Sequence, residues 1–411
     1  GEAKVLRGPA GMLAKAMEES RSIPTATSFR TLAVDTLDAK RKALNGQLSE
    51  RGMKVSFTHL IAWAIVEAGK EWRAMSRSYE IRDEKPNVVD HGAINLGIAV
   101  DIEKKDGSRS LMVPCIRAAD QDDFKAFHAK YEELIRKTRE NSLTADDFIG
   151  TNITLTNPGG LGTVASVPRL MTGQGTIVAT GSIAYPPEWS HSPAERLKTL
   201  GVSKVMTMTS TYDHRIIQGA ESGAFLGKLQ SLLEGEENFY QEIFEQTGMP
   251  YQPFRWEVDR ASAGKAGGSS EDKRMEEIAK QAAVLQLINA YRVRGHLIAD
   301  LNPLGVKAGY HPELDPSTYG LTIWDFDRPF IIGNLATSEK ATVATLREIL
   351  ETLRQTYCGR LGCEYMHIQH PEEKRWLQER MEPQANNWPI AETDKRRILL
   401  ITQVVFMLTA F

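Results

Sequence analysis

The residues best suited to chemistry lie in the stretch from Ser210 to Ala220. A run rich in threonine and methionine, residues 205–209, leads into Asp213, His214 and Arg215, and a glycine follows. A histidine placed where a strand stops can project into a cleft, and imidazole titrates near neutral pH, where proton transfer is useful. His214 is therefore a candidate general base, and a purely structural histidine is the alternative for this stretch taken alone.

The elements that would position this histidine alternate between strands and helices, which predicts an α/β fold. The predicted strands are residues 93–100, 111–117, 152–156 and 176–181. The first two form a hairpin-like pair around the turn signal Asp106-Gly107. Residues 125–139 and 271–299 have apolar side chains at helical spacing and are predicted helices. A glycine- and serine-rich segment separates the two parts and is typical of a flexible linker, placed at 259–272.

Composition limits the class of protein and its surroundings. The chain has 411 residues, 25% of them charged and 41% hydrophobic, which is typical of a soluble globular protein with two domains. The net charge of -3 argues against nonspecific binding to nucleic acid. Three cysteines, Cys115, Cys358 and Cys363, are too few for a disulfide framework and indicate a reducing compartment. A cytoplasmic location is expected, and the cysteine spacing predicts no metal site.

Two further patterns concern membranes and export. The first residues lack the apolar stretch of a signal peptide. The apolar run 398–411 is too short to span a membrane and contains Thr402 and Gln403, so a buried helix is predicted there. We therefore expect no membrane partner.

The Asp-His-Arg-x-x-x-Gly stretch at 213–219 resembles the signature of the acyltransferase components of 2-oxo acid dehydrogenase complexes. The other blocks that match this family in order lie at residues 12–20, 23–27, 56–59, 94–101, 111–114 and 153–162. The resemblance covers about residues 1–250 and implies an acyltransferase domain at 1–258 with a chloramphenicol-acetyltransferase-like α/β fold.

The resemblance also assigns roles to site residues. It implies that His214 is the general base that activates a thiol and that Thr156 donates a hydrogen bond to the oxyanion of the tetrahedral intermediate. Asp213, Arg215 and Asn157 are supporting residues. Gln218 departs from the family pattern, which has Asp at this position paired with an arginine of the first helix. Residues 9–12 contain no arginine, so both partners are absent together and Gln218 is interpreted as a neutral replacement.

The second region carries its own resemblance, to the start of the thiamine-dependent decarboxylase component of 2-oxoglutarate dehydrogenase. The matching segments are residues 291–297, 302–304, 321–325, 356–359, 362–368 and 376–380. An acyltransferase followed by this region resembles the fused 2-oxoglutarate dehydrogenase/decarboxylase of actinobacteria and implies succinyl as the acyl group. Residues 273–411 are expected to be a mainly helical and incomplete decarboxylase region. They lack the Gly-Asp-Gly stretch that holds thiamine diphosphate and magnesium, so those cofactors are expected only in a longer parent protein.

Coenzyme A and a lipoyl group are the substrates that the resemblance implies, and the coenzyme A contacts are not assigned. Since the chain has no lipoylation hairpin, the lipoyl group is expected on a partner protein. The family also implies a homotrimer in which His214 of one subunit faces Thr156 of the next. Two alternatives stay open: a noncatalytic scaffold of the complex, favoured by Gln218 and the incomplete second region, and chloramphenicol-acetyltransferase-like acetyl transfer. Chloramphenicol acetyltransferases typically carry His-His in place of Asp213-His214.

Overall fold

The computed structural model describes residues 5, 9–48, 52–103, 109–248, 270–301, 310–336, 342–386 and 391–398. The chain divides into two compact units, Gly1–Gly264 and Lys265–Phe411. The boundary falls within the predicted linker 259–272, most of which lies outside the described residues. The apolar segment 399–411, for which a buried helix is predicted, also lies outside them.

A six-stranded mixed sheet forms the centre of the first unit. Its strands, in spatial order, are β1 (Thr25–Ala33), β10 (Val205–Asp213), β9 (Thr176–Thr180), β8 (Ile153–Thr156), β4 (Leu96–Ile98) and β7 (Cys115–Ile116). Strand β8 runs parallel to both of its neighbours, and the remaining pairs are antiparallel. Two small hairpins stand outside this sheet: β2 (Ser78–Arg82) with β3 (Lys85–Val89), and β5 (Val100–Glu103) with β6 (Arg109–Met112). This mixture of sheet and helices confirms the α/β prediction.

The described helices of the first unit are α1 (Pro9–Glu19), α2 (Asp35–Leu48), α3 (Phe57–Glu71), α4 (Phe124–Arg139), α5 (Ala194–Thr199), α6 (Gly219–Leu233) and α7 (Phe239–Gln246). Helices α6 and α4 pack against this sheet, α6 on β1 and β10 and α4 on β7. Helix α3 is buried along almost its whole length, from His59 to Gly69, and contacts α6, α4 and α2. A Cβ atom on Gly69 would lie 2.7 Å from Cδ1 of Ile94, so a larger residue here would displace the end of that side chain just before β4.

The predicted strands at 93–100 and 111–117 are each divided in two. Val100 starts the hairpin partner of β6, whereas Leu96 to Ile98 pair with β7 and β8 in the main sheet. Pro114 explains the second division, because proline has no N–H to donate, and its carbonyl oxygen accepts from the N–H of Ile98 at 2.9 Å. The hairpin-like pairing is confirmed, with a change of sheet at each interruption.

The second unit contains helices α8 (Ser270–Arg294), α9 (Leu346–Tyr357) and α10 (Pro371–Met381) and a hairpin of β11 (Pro329–Ile331) and β12 (Val343–Thr345). Helix α8 begins inside the predicted linker and ends earlier than the predicted residue 299. It ends where Gly295 lies against α9, since a Cβ there would approach Cβ of Tyr357 to 2.5 Å.

A buried polar network ties the second unit together. Both oxygens of Glu382 accept hydrogen bonds from Arg292, at 2.7 and 3.0 Å, and Tyr357 donates a third at 2.7 Å. The two charged side chains are at most 5% exposed. A buried carboxylate needs such partners to stay ionised. The ion pair between Arg292 and Glu382 also links α8 to the residue that follows α10.

Within the described ranges, none of the helices combines the length and the apolar composition needed to cross a membrane.

Candidate active site

His214 follows the last residue of β10, as predicted from the sequence. Its backbone N–H donates to the carbonyl oxygen of Pro24 at 2.9 Å, and its Nδ1 lies 3.0 Å from the carbonyl oxygen of Ile217. Because a carbonyl oxygen can only accept, Nδ1 must carry the proton in this bond. The Nε2 lone pair is then available, and the side chain is exposed. This is the tautomer that a general base requires.

Asp213 and Arg215 hold the turn that carries His214. Asp213 is 2% exposed, and its two oxygens accept from Nε and Nη2 of Arg215 at 2.8 and 2.6 Å. The guanidinium of Arg215 lies over the ring of Tyr79 at 3.8 Å from its centroid. The ion pair and the stacking together fix the backbone on both sides of the histidine.

Gln218 lies at the N-cap of α6, exposed and with an extended backbone. Its backbone N–H donates to Oε2 of Glu221 at 2.7 Å, which is half of a capping box. Gln218 thus caps the start of α6, the helix that follows His214 in the chain, with a neutral side chain.

Thr156 is the last residue of β8 and is half-buried. The next residue, Asn157, donates from Nδ2 to Oγ1 of Thr58 near the start of α3, at 3.0 Å. The backbone then turns sharply at Gly159, which lies so close to the backbone of Gly181 and Ser182 that no side chain fits. The end of β8 is therefore held from two sides.

The register of the sheet separates Thr156 from His214 within one chain. Thr156 is opposite Ala179, and Ala179 is opposite Thr209 of β10. His214 comes five residues after Thr209, which at strand geometry corresponds to about 17 Å along the strand. A reacting thiol cannot contact both side chains at hydrogen-bonding distance, so one chain does not bring them together.

The residues of the described ranges that could form a metal-ligand cluster are His59, His128 and Glu132. Nδ1 of His59 accepts from the backbone N–H of Ser56 at 3.1 Å, and Nε2 lies 2.9 Å from Oε1 of Glu132. Nε2 therefore carries the proton, and His59 has no free lone pair for a metal. Burial lowers the pKa of His59 to about 3, so the contact with Glu132 is a hydrogen bond of a neutral imidazole. These contacts join α3 to α4.

The three cysteines, Cys115, Cys358 and Cys363, are free, and the first two are buried. Sequence reasoning missed three contributors to the site. The carbonyl oxygen of Ile217 sets the tautomer of His214, Tyr79 supports Arg215, and Thr58 holds Asn157. Thr58 belongs to one of the blocks that carry the family resemblance, but nothing in the sequence indicated that it faces the end of β8.

Comparison with known proteins places the chain among acyltransferases. Residues 3–240 match the profile of the family described as 2-oxoacid dehydrogenases acyltransferase (catalytic domain). The chain is 46% identical over 393 residues to a multifunctional 2-oxoglutarate metabolism enzyme of Mycobacterium sp. (strain JLS). It is equally similar, over 395 residues, to the enzyme of that name from Mycolicibacterium vanbaalenii. Each match covers 95% of this chain, which spans 30% of the length of these relatives.

Among solved structures, the chain is similar to a probable dihydrolipoamide acetyltransferase from Listeria monocytogenes. The two share 25% sequence identity with a TM-score of 0.49, over 58% of this chain and 97% of that one. The family profile spans more than half of the chain, including both Thr156 and His214. The chain therefore belongs to the 2-oxoacid dehydrogenase acyltransferase family and contains its catalytic domain.

Proposed function

We propose that the first unit transfers a succinyl group between a dihydrolipoyl group and coenzyme A, with His214 as general base and Thr156 as oxyanion donor. The observation that carries this proposal is the tautomer of His214, whose Nδ1 proton is bound to the carbonyl oxygen of Ile217. The relatives named for 2-oxoglutarate metabolism support succinyl as the acyl group, because oxidative decarboxylation of 2-oxoglutarate yields a succinyl thioester.

The chemistry follows from the two side chains. Nε2 of His214 takes the proton of the attacking thiol, and the thiolate adds to the carbonyl carbon of the succinyl thioester. The hydroxyl of Thr156 donates to the oxyanion so formed, a contribution worth on the order of 3 kcal/mol in the transition state. The tetrahedral intermediate collapses with cleavage of the old C–S bond, and the departing sulfur takes the proton back from His214.

The separation of about 17 Å along the sheet supports a site shared between subunits. In a homotrimer, His214 of each chain would face Thr156 of the next chain, and the three-fold symmetry would produce three equivalent sites. Exposed apolar side chains of the first unit, among them Phe29, Leu161 and Val164, supply surface for such an interface.

The remaining assignments belong to the same proposal. The lipoyl group is carried by a lipoyl-bearing protein of a 2-oxo acid dehydrogenase complex, and the transfer takes place in the cytoplasm. Thiamine diphosphate and magnesium bind only in a longer parent protein, which decarboxylates 2-oxoglutarate. The second unit belongs to that decarboxylase component.

The test is succinyl transfer from succinyl-CoA to free dihydrolipoamide, followed by chromatographic separation of coenzyme A and succinyl-dihydrolipoamide. The His214→Ala variant should lose at least about 10²-fold in kcat, the lower end of general-base contributions. The control is His191→Ala, which removes an exposed histidine of the same unit and should change nothing. Equal background rates in the unsubstituted protein and in His214→Ala would contradict the proposal. Faster transfer from acetyl-CoA than from succinyl-CoA would show that the acyl group is acetyl and not succinyl.

A further inference from the structure

We infer that Thr58 is a positioning residue for the transfer step: through Asn157 it sets the direction of the Thr156 hydroxyl. This inference rests on the proposed function, since it concerns the same oxyanion donor. Its starting point is the hydrogen bond of 3.0 Å from Nδ2 of Asn157 to Oγ1 of Thr58. The two residues are 99 positions apart in the sequence, so the bond joins the start of α3 to the end of β8.

The helix end that carries Thr58 is itself firmly held. Ser56 caps α3 by accepting from the N–H of His59 at 3.2 Å, and the ring of His59 accepts from the N–H of Ser56 in return. The same ring donates to Glu132 of α4 at 2.9 Å. His59 is 3% exposed and packs edge-on against Tyr131, with 4.3 Å between the ring centroids. A hydroxyl presented from this helix end is therefore a fixed point for the loop after β8.

The sheet pairs the backbone of Thr156 on the β9 side, whereas on the β4 side its pairing ends one residue earlier, at Leu155, whose carbonyl oxygen accepts from the N–H of Ala99 at 2.9 Å. The partner of Thr156 is Ala179 of β9, and strand pairing stops there because Asn157 leaves the sheet with φ −122° and ψ 77°. The tight approach of Gly159 to Gly181 fixes the loop three residues further on. Between these two points, the Asn157 side chain bonds to Thr58, and through this bond Thr58 restrains the 156–157 peptide.

This role depends on the hydroxyl of Thr58 rather than on its shape. Thr58→Val keeps the volume and removes the acceptor, whereas Thr58→Ser keeps the acceptor. A misplaced catalytic group lowers the rate of the chemical step, so the loss should fall on kcat. We expect roughly a tenfold drop in kcat for Thr58→Val with KM changed less than about twofold, and recovery of most of the rate in Thr58→Ser.

A double-mutant cycle with Asn157→Ala tests whether Thr58 acts through Asn157. If it does, Thr58→Val should cost nothing more in the Asn157→Ala background. The control is Thr144→Val, which removes an exposed threonine hydroxyl of this unit, bound to Asp147 at 3.0 Å, and should leave kcat unchanged. Each variant is compared by its thermal midpoint, so that loss of fold is separated from loss of rate.

Three outcomes decide the inference. A kcat loss restored by serine and absent in the Asn157→Ala background supports it. Unchanged kcat in Thr58→Val overturns it, and so does a full additional loss in the double variant. The unsubstituted protein is measured in the same assay against His214→Ala, so failure of the proposed function itself appears there as background activity in both.

Discussion

Substitution of Gly159 by alanine should damage the site far more than its size suggests. A Cβ at this position would lie 2.7 Å from the backbone nitrogen of Ser182 and closer still to the carbonyl group of Gly181. Real Cβ atoms essentially never approach heavy atoms to less than 3.0 Å, and backbone atoms cannot rotate away as a side chain can. The two segments must therefore separate by roughly one ångström, at a cost of about 1–3 kcal/mol in folding free energy.

Because Gly159 follows Thr156 by three residues, the shift reaches Thr156, the proposed oxyanion donor. A displacement of this order can lower a catalysed rate by about 10²-fold, which corresponds to about 2.7 kcal/mol in the activation free energy. The assay is kcat for succinyl transfer to dihydrolipoamide, with the thermal midpoint measured in parallel.

The neighbouring residue supplies the matched control. A Cβ on Gly160 would meet no atom within 4 Å, so Gly160→Ala adds the same methyl group one residue away without a clash. We expect this variant to keep its rate within about twofold. A folded Gly159→Ala protein with the kcat of Gly160→Ala would refute the reasoning that the contact with Gly181 positions Thr156.

Two further predictions concern stability. The folded-state pKa of His59, lowered to about 3, lies below its ordinary value of 6.5, so the unfolded chain binds the proton more readily between these values. The stability contributed by neutral His59 is complete above about pH 6.5 and is lost as the pH falls towards 3, with a maximal slope of about 1.4 kcal/mol per pH unit. In urea unfolding, the free energy of unfolding of His59→Gln should fall less steeply with decreasing pH than that of the unsubstituted protein. Identical slopes in these two proteins would contradict this. In the second unit, Glu382→Ala leaves Arg292 buried without its carboxylate and should cost about 3–5 kcal/mol. In this variant the rate of amide hydrogen exchange in α8 should rise, while the rate of acyl transfer stays unchanged. The control is Glu379→Ala, which changes an exposed residue one helical turn away and should alter neither rate.

Local signals allowed the elements around His214 to be predicted well from sequence. The strand ending before the histidine, the helix at 125–139 and the strands starting near 152 and 176 all occur within a residue or two of the predicted positions. Each of these predictions rests on the spacing of apolar residues or on a turn residue, and both signals lie in residues close together in the sequence. The α-helix predicted to reach 299 ends at Arg294 and is followed by a 3-10 turn at Gly295–Ile298, where Gly295 lies close to Tyr357.

Contacts between distant segments could not be derived in this way. The bond from Asn157 to Thr58 and the stacking of Arg215 on Tyr79 depend on how the chain returns to the sheet, and no periodicity encodes that. The distance between Thr156 and His214 follows from strand register, which needs the pairing partners β8, β9 and β10. The family resemblance implies that both side chains act in one reaction. The strand register explains why the Thr156 and His214 side chains of the same chain do not lie in one site.

The most direct test of a site shared between subunits is a heterotrimer assembled from two inactive variants. His214→Ala and Thr156→Val chains carrying different tags are co-expressed, and only assemblies bearing both tags are purified. Cyclic three-fold symmetry then leaves one of the three sites with both an intact His214 and an intact Thr156, so activity should return to about one third of the unsubstituted level. If both side chains served within a single chain, every site would lack one of them, and activity no higher than that of the separate variants would contradict the account.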